Sequence, residues 1–168
     1  MRSRARLSVL LPLLVAVAPA EAALAPKAAC ADPVTGVWHG LWYSTDAEDW
    51  HDFRLTIARD RPGSGKLVGS IEATVWDGDA SATTPPACRG QIHYSVRMPA
   101  TGAIEGTKVS FAGTEVFVTK VTCAEGTYRA DTLSGVLAGD QLVLTNDDGA
   151  RSMGDIHFKR ERCTAPGR

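Results

Sequence analysis

The chain has 168 residues, with 18 Lys plus Arg against 19 Asp plus Glu and 44% hydrophobic residues. A formal net charge of −1 excludes a nucleic-acid coat and a polybasic membrane-surface protein, and the hydrophobic share excludes wholesale disorder. The length suits one domain with a core of its own.

In chain order, Met1 to Arg6 carries three arginines, Leu7 to Pro19 carries no charge, and Ala20-Glu21-Ala22 has the small-x-small pattern a signal peptidase reads. Residues 1–22 therefore read as a cleaved signal peptide, 23–35 as an N-terminal segment and 36–168 as the folded domain. The apolar run is too short to span a bilayer stably and no second one follows, so a secreted or periplasmic product is expected. Without the leader, 15 basic residues face 18 acidic ones. All four cysteines (Cys30, Cys88, Cys123 and Cys163) fall beyond the leader and none forms a C-x-x-C pair. An even number in an exported chain predicts two disulfides, and the spacings match no zinc finger.

Beyond the leader the sequence alternates with period two between turn residues, and no window shows helical periodicity. Strands are predicted at 36–44, 52–60 and 66–76; in the second, Phe53, Leu55 and Ile57 share one face. A loop follows at 77–87. The middle allows two parsings. A strand at 91–97 is followed either by a turn at 99–102 and a separate strand at 103–111, or by a turn at Glu105-Gly106-Thr107. A long strand at 108–122, kinked at Gly113, follows the second choice. Strands at 131–137, 141–145 and 153–160 close the chain.

Eight sequential strands with short connections predict an all-β, antiparallel up-and-down barrel, whose closure removes exposed edges. In such a barrel the first and last strands are antiparallel neighbours. Cys30 precedes the one and Cys163 follows the other, so these two should bond. Cys88 and Cys123 lie equally far from the Glu105–Gly106 bond, as the two ends of one hairpin should. Both pairings come from one geometry, which favours eight strands over nine.

Gly36-Val37-Trp38 in the first strand and Arg160 at the end of the last resemble the pattern of calycins, the lipocalin and avidin-like barrels. There a first-strand Gly-x-Trp is covered by a basic side chain from the final strand. The resemblance implies that Trp38 and Arg160 stack to plug one end of the barrel, leaving the other end open for a ligand.

No nucleophile has a visible base, and no Gly-x-Ser-x-Gly, His-Glu-x-x-His or P-loop pattern occurs, so neither catalysis nor a cofactor is expected. His39 and His157 flank core residues and read as surface histidines; two of them make no zinc site. Charge is more informative. The connections that would share the open end (45–52, 77–89, 123–126 and 146–152) hold nine acidic residues and two basic ones. The opposite end counts nine basic and five acidic. Trp50 and Trp76 fall at the acidic end, with Trp42 and Tyr94 on strands leading to it. Trp42, Trp50, Trp76, Tyr94, Asp46 and Asp49 are therefore the candidate ligand contacts, with Ile57 and Ile71 further down the cavity. The expected role is a monomeric binding protein for a small apolar or cationic ligand, or for a basic protein. A protease inhibitor resembling the avidin-like inhibitors, or a purely structural envelope protein, is the alternative.

Overall fold

The computed structural model describes residues 30–149 and 153–163, so the predicted leader lies outside the described residues. Nine strands form: β1 (Gly36–Ser44), β2 (Asp49–Arg59), β3 (Lys66–Asp77), β4 (His93–Glu105), β5 (Lys108–Gly113), β6 (Phe117–Val121), β7 (Thr132–Ala138), β8 (Gln141–Asp147) and β9 (Met153–Arg162). No helix occurs among the described residues. Every ladder is antiparallel, and the order β3-β2-β1-β9-β8-β7-β5-β4 closes through a β3–β4 pairing. The result is an eight-stranded barrel with β6 added, an architecture consistent with a calycin-like fold.

The turn at Glu105-Gly106-Thr107 is the one that forms, with Gly106 at a φ of 61°, a left-handed conformation that favours glycine. The predicted strand 108–122 breaks into β5 and β6, which pair with successive halves of the thirteen-residue β4. Pro99 marks the break. It has no N–H to offer the ladder, and its carbonyl instead accepts from both the N–H (2.9 Å) and the hydroxyl (3.1 Å) of Thr114. Because β7 pairs with β5 and not with β6, the outer edge of β6 has no strand partner among the described residues.

Side chains that alternate along each strand fill most of the barrel. Phe53, Leu55, Ile57, Ile71, Met98, Phe111, Leu133, Leu142, Leu144 and Phe158 have little or no exposure. Ile57 and Ile71 therefore belong to a solid core, and the cavity expected around them does not extend that far. Packing of this kind fills small eight-stranded barrels.

One end is plugged. The Trp38 indole is wholly buried and donates to the Val34 carbonyl at 2.9 Å, while the Arg160 guanidinium lies 4.4 Å from the ring centroid. Arg160 also donates to the Pro33 carbonyl, and Arg59 binds Asp32. Partial burial alone would raise the Asp32 pKa; hydrogen bonds from Arg59 and the Val34 N–H outweigh it and hold the carboxyl below its usual range. Cys30–Cys163 ties this N-terminal segment down, with the Cα atoms 5.6 Å apart. The second bond, Cys88–Cys123, has its Cα atoms 5.3 Å apart at the opposite end. Two disulfides are compatible with an oxidising compartment.

Candidate functional site

Three strands change character as they reach the end away from Trp38. The inward row of β2 runs Ile57, Leu55, Phe53 and then His51 and Asp49; that of β8 runs Leu142, Leu144 and then Asn146. The row of β7 passes from Leu133 to Asp131, one residue ahead of the strand. Where the alternation calls for a fourth apolar layer, the sequence supplies an imidazole, an amide and a carboxyl. His51 is 5% exposed, Asp131 1% and Asn146 not at all. Burying such groups costs free energy unless they find partners.

Residues 122–131 fold across this end. Ala124 bridges to Ile92, and its carbonyl accepts from the His93 N–H at 2.9 Å. Gly126 lies so close to Tyr94 that a Cβ there would sit 3.2 Å from the phenol oxygen. Tyr128 then packs edge-on against Tyr94, with centroids 6.4 Å apart, and at 6.0 Å from the His51 ring. The Cys88–Cys123 bond joins the start of this segment to the 78–92 loop.

A cavity of about 130 Å³ remains, lined by Asp49, His51, Tyr94, Tyr128, Asp131 and Asn146, with Arg129 and Asp148 among the other residues around it. That is below the 300–1,000 Å³ typical of sites for drug-sized ligands. Asp49 Oδ1 lies 3.0 Å from His51 Nε2. A carboxylate only accepts, so Nε2 carries a proton, and in its neutral form the ring presents Nδ1 as an acceptor. Nδ1 has no hydrogen-bond partner, nor does either amide atom of Asn146. The Asn146 amide is near enough to favour the ionised form of Asp131 but makes no hydrogen bond of ordinary geometry.

The Tyr128 hydroxyl donates to Asp131 Oδ2 at 2.8 Å. Burial pushes the Asp131 pKa up to about 6, against the pull of Tyr128, His51 and Asn146 toward the ionised form. Burial also pushes Tyr94 up to about 12, helped by Asp49, Glu125, Asp77 and Asp131, and holds Tyr128 well above the usual phenol range. Both phenols stay neutral donors at physiological pH, chiefly through burial and with neighbouring carboxylates adding to it.

The six predicted contacts divide. Asp49 and Tyr94 line the cavity, and Trp42 faces the same interior, its ring 5.1 Å from His51. Trp50 and Trp76 do not line the mouth. They belong to the opposite row, on the outer wall, where they stack on each other with centroids 6.3 Å apart. The 78–92 loop covers them, its Asp79 and Ala82 carbonyls accepting from the two indoles at 2.9 and 3.3 Å. Their burial, 7% and 2% exposed, thus comes from a loop rather than from the barrel interior. Asp46 is exposed in the 45–48 loop, outside the cavity lining.

Sequence reasoning missed His51, Tyr128, Asp131 and Asn146. The signal was present, because extending the Phe53-Leu55-Ile57 row by one alternate position reaches His51. Starting the second strand at Asp52 instead of Asp49 hid it. Elsewhere, His39 Nε2 is 2.6 Å from Asp52 on the outer wall, and no three potential metal ligands gather among the described residues. No helix among those residues is long and apolar enough to cross a membrane.

No family model matches this chain, and neither a curated protein nor a solved structure does.

Proposed function

We propose that this chain is an exported binding protein that takes a small cationic ligand, or a cationic group of a basic protein, into the mouth of its barrel. The observation that carries the reading is the buried polar cavity of His51, Asp131 and Asn146, set beneath the acidic 45–48 loop and beside two phenols. Its polarity and small volume favour a cationic occupant over an apolar one. Negative potential concentrates cations at such an opening, and aromatic faces add to the attraction. The leader-like residues 1–22 and the two disulfides support export. The Trp38–Arg160 stack supports a calycin-like relationship, in which the end away from the plug is the one that binds.

Native mass spectrometry of the protein purified from its own source tests the reading. A retained cationic molecule or basic protein, lost from a His51→Ala variant that still folds, is the expected result. A retained species that survives that substitution would move the binding site away from the mouth. A retained neutral lipid would overturn the reading.

A further inference from the structure

The mouth gathers buried polar groups from three parts of the chain around one cavity, and among the described residues His51 Nδ1 and the Asn146 amide have no hydrogen-bond partner. His51 Nδ1 comes from β2 and the Asn146 amide from β8, and Asp131 stands at the start of β7. We infer that this cavity is a socket for a primary ammonium on an aliphatic stem, received by His51 Nδ1, Asn146 Oδ1 and the Asp131 carboxylate. The inference deepens the cation-binding reading of the mouth and rests on it.

Hydrogen-bond chemistry selects the ligand. An aromatic lining alone, such as Tyr94 and Tyr128 provide, would suit a quaternary ammonium. Such an ion brings no N–H, so His51 Nδ1 and Asn146 Oδ1 would stay buried and unpaired. A primary ammonium brings three N–H donors, one for each acceptor. With Nε2–H held by Asp49 at 3.0 Å, the imidazole has Nδ1 to offer as an acceptor. Asp131 accepts from Tyr128 through Oδ2, which leaves Oδ1 for an incoming donor. Turned with its amide nitrogen toward Asp131, Asn146 would favour the ionised carboxyl and keep Oδ1 for the ligand.

Charge and size agree with this choice. Asp49, Asp131 and Asp148 stand around the cavity with Arg129 the lone formal cation among the described lining residues. At neutral pH Asp131 is ionised in a site that solvates it poorly, and an ammonium relieves that cost. A cavity of about 130 Å³ has room for an ammonium with a short alkyl stem. The stem would lie along the rings of Tyr94 and Tyr128. The same head group ends a lysine side chain and a free alkylamine.

The test titrates the full chain with n-butylammonium, with a neutral peptide containing one lysine, and with n-butanol, tetramethylammonium and guanidinium as controls. The readout is the ¹⁵N chemical shift of His51 Nδ1 in the unmodified protein, which needs no variant to fold. Saturable shifts with butylammonium are expected, with tetramethylammonium and n-butanol at least tenfold weaker. Asn146→Ala and Asp131→Asn, each checked for folding by circular dichroism, should weaken butylammonium binding tenfold or more. Tighter binding of the lysine peptide than of butylammonium would make a protein side chain the natural source, and the reverse would make it a free amine. No response of His51 to any amine, or equal response to tetramethylammonium, overturns the socket. If a basic partner is retained at the mouth while His51 stays silent, the socket fails and the wider reading stands. If butylammonium binds but nothing cationic is ever retained from the source, the socket stands and the wider reading fails.

Discussion

At the closed end of the barrel, polar groups meet partners within the chain. The Trp38 indole reaches the Val34 carbonyl, Arg160 lies over the Trp38 ring and reaches Pro33, and Arg59 meets Asp32. At the mouth, groups of similar polarity are buried as deeply, but His51 Nδ1 and the Asn146 amide have none. Each end has one disulfide and one short stretch of chain folded across it. Closing the barrel accounts for the contacts of the first end. It does not explain why a strand that could have continued Ile57, Leu55 and Phe53 with another apolar residue has His51 instead. The contrast separates what closes the barrel from what the barrel presents.

The two disulfides give the largest expected effects. In the chain-entropy estimate, removing Cys30–Cys163, which spans 133 residues, costs about 5 kcal/mol, and Cys88–Cys123, which spans 35, costs about 4 kcal/mol. Urea unfolding of the paired Cys→Ala variants measures both. The contrast sharpens if only the Cys88–Cys123 variant also loses ligand affinity while folded, since that bond anchors the segment carrying Tyr128. Equal loss of affinity in the two variants would show that the ends are mechanically coupled.

Trp38→Ala comes next, at about 3–5 kcal/mol for truncating a wholly buried aromatic in a packed core. Trp42 is half-buried at the mouth, and its truncation should cost less than half as much in urea midpoint. Trp50, expected from the sequence to contact ligand at the acidic end, is buried on the outer wall instead. With the 78–92 loop over it, Trp50→Ala should be clearly destabilising. Comparable midpoints for the Trp38 and Trp42 variants would mean that the plug is no more integral than the mouth.

Much of this architecture is legible in the sequence, and the reason is physical. A residue on a strand faces in or out by parity alone, so the alternation of Leu67, Ile71 and Val75, or of Leu142 and Leu144, fixes the inward faces. The positions of Cys30 and Cys163 then favour closure, because an even-stranded barrel makes its first and last strands antiparallel neighbours. The candidate site was harder to see. Parity places His51 and Asn146 inside once the strand ends are known, but strand ends are set by hydrogen bonding, which composition reports poorly. Trp50 and Trp76 fail for another reason. A large outward-facing indole is stable only beneath a cover, and nothing in the loop sequence 78–92 announces that it folds back onto the wall.

The two ends depend on pH in opposite directions: the lowered pKa of Asp32 gives the closed end stability that is lost as pH falls, whereas the mouth loses stability as pH rises. Burial raises the Asp131 pKa to about 6 from 3.8, so folding favours its neutral form. That preference is fully present below the unfolded-state pKa and is lost as pH rises through the folded-state value. Between pH 4 and pH 7 the protein should therefore lose up to about 3 kcal/mol relative to Asp131→Asn, whose carboxamide oxygen can still accept from Tyr128. The groups that face Asp131 are Tyr128, His51, Asn146 and Asp148. Urea titrations of the two proteins across that range measure the difference. Saturating butylammonium should flatten the slope of the unmodified protein, because the ligand stabilises the ionised carboxylate. Parallel curves for the two proteins would show that Asp131 reaches solvent and that the mouth is no drier than an ordinary surface.

The smallest expected effect separates the rim from the cavity beneath it. Asp46 and Glu48 are exposed in the 45–48 loop, where salt screens a charge beyond about 8 Å at physiological ionic strength. They contribute to the field that an approaching cation crosses, not to its final contacts. Asp46→Asn with Glu48→Gln should therefore slow association of a lysine-bearing peptide a few-fold at low salt and leave its release unchanged. Asp49→Asn should do the opposite. An amide at that position can donate to Nε2, which moves the imidazole proton to Nδ1 and turns the acceptor of the socket into a donor. Its expected effect is faster release, at low and high salt alike. Stopped-flow fluorescence with a labelled single-lysine peptide reads both rates. Faster release from the Asp46/Glu48 variant would make those residues direct contacts, and an Asp49→Asn variant that changed only the association rate would reduce the imidazole to one more part of the acidic rim.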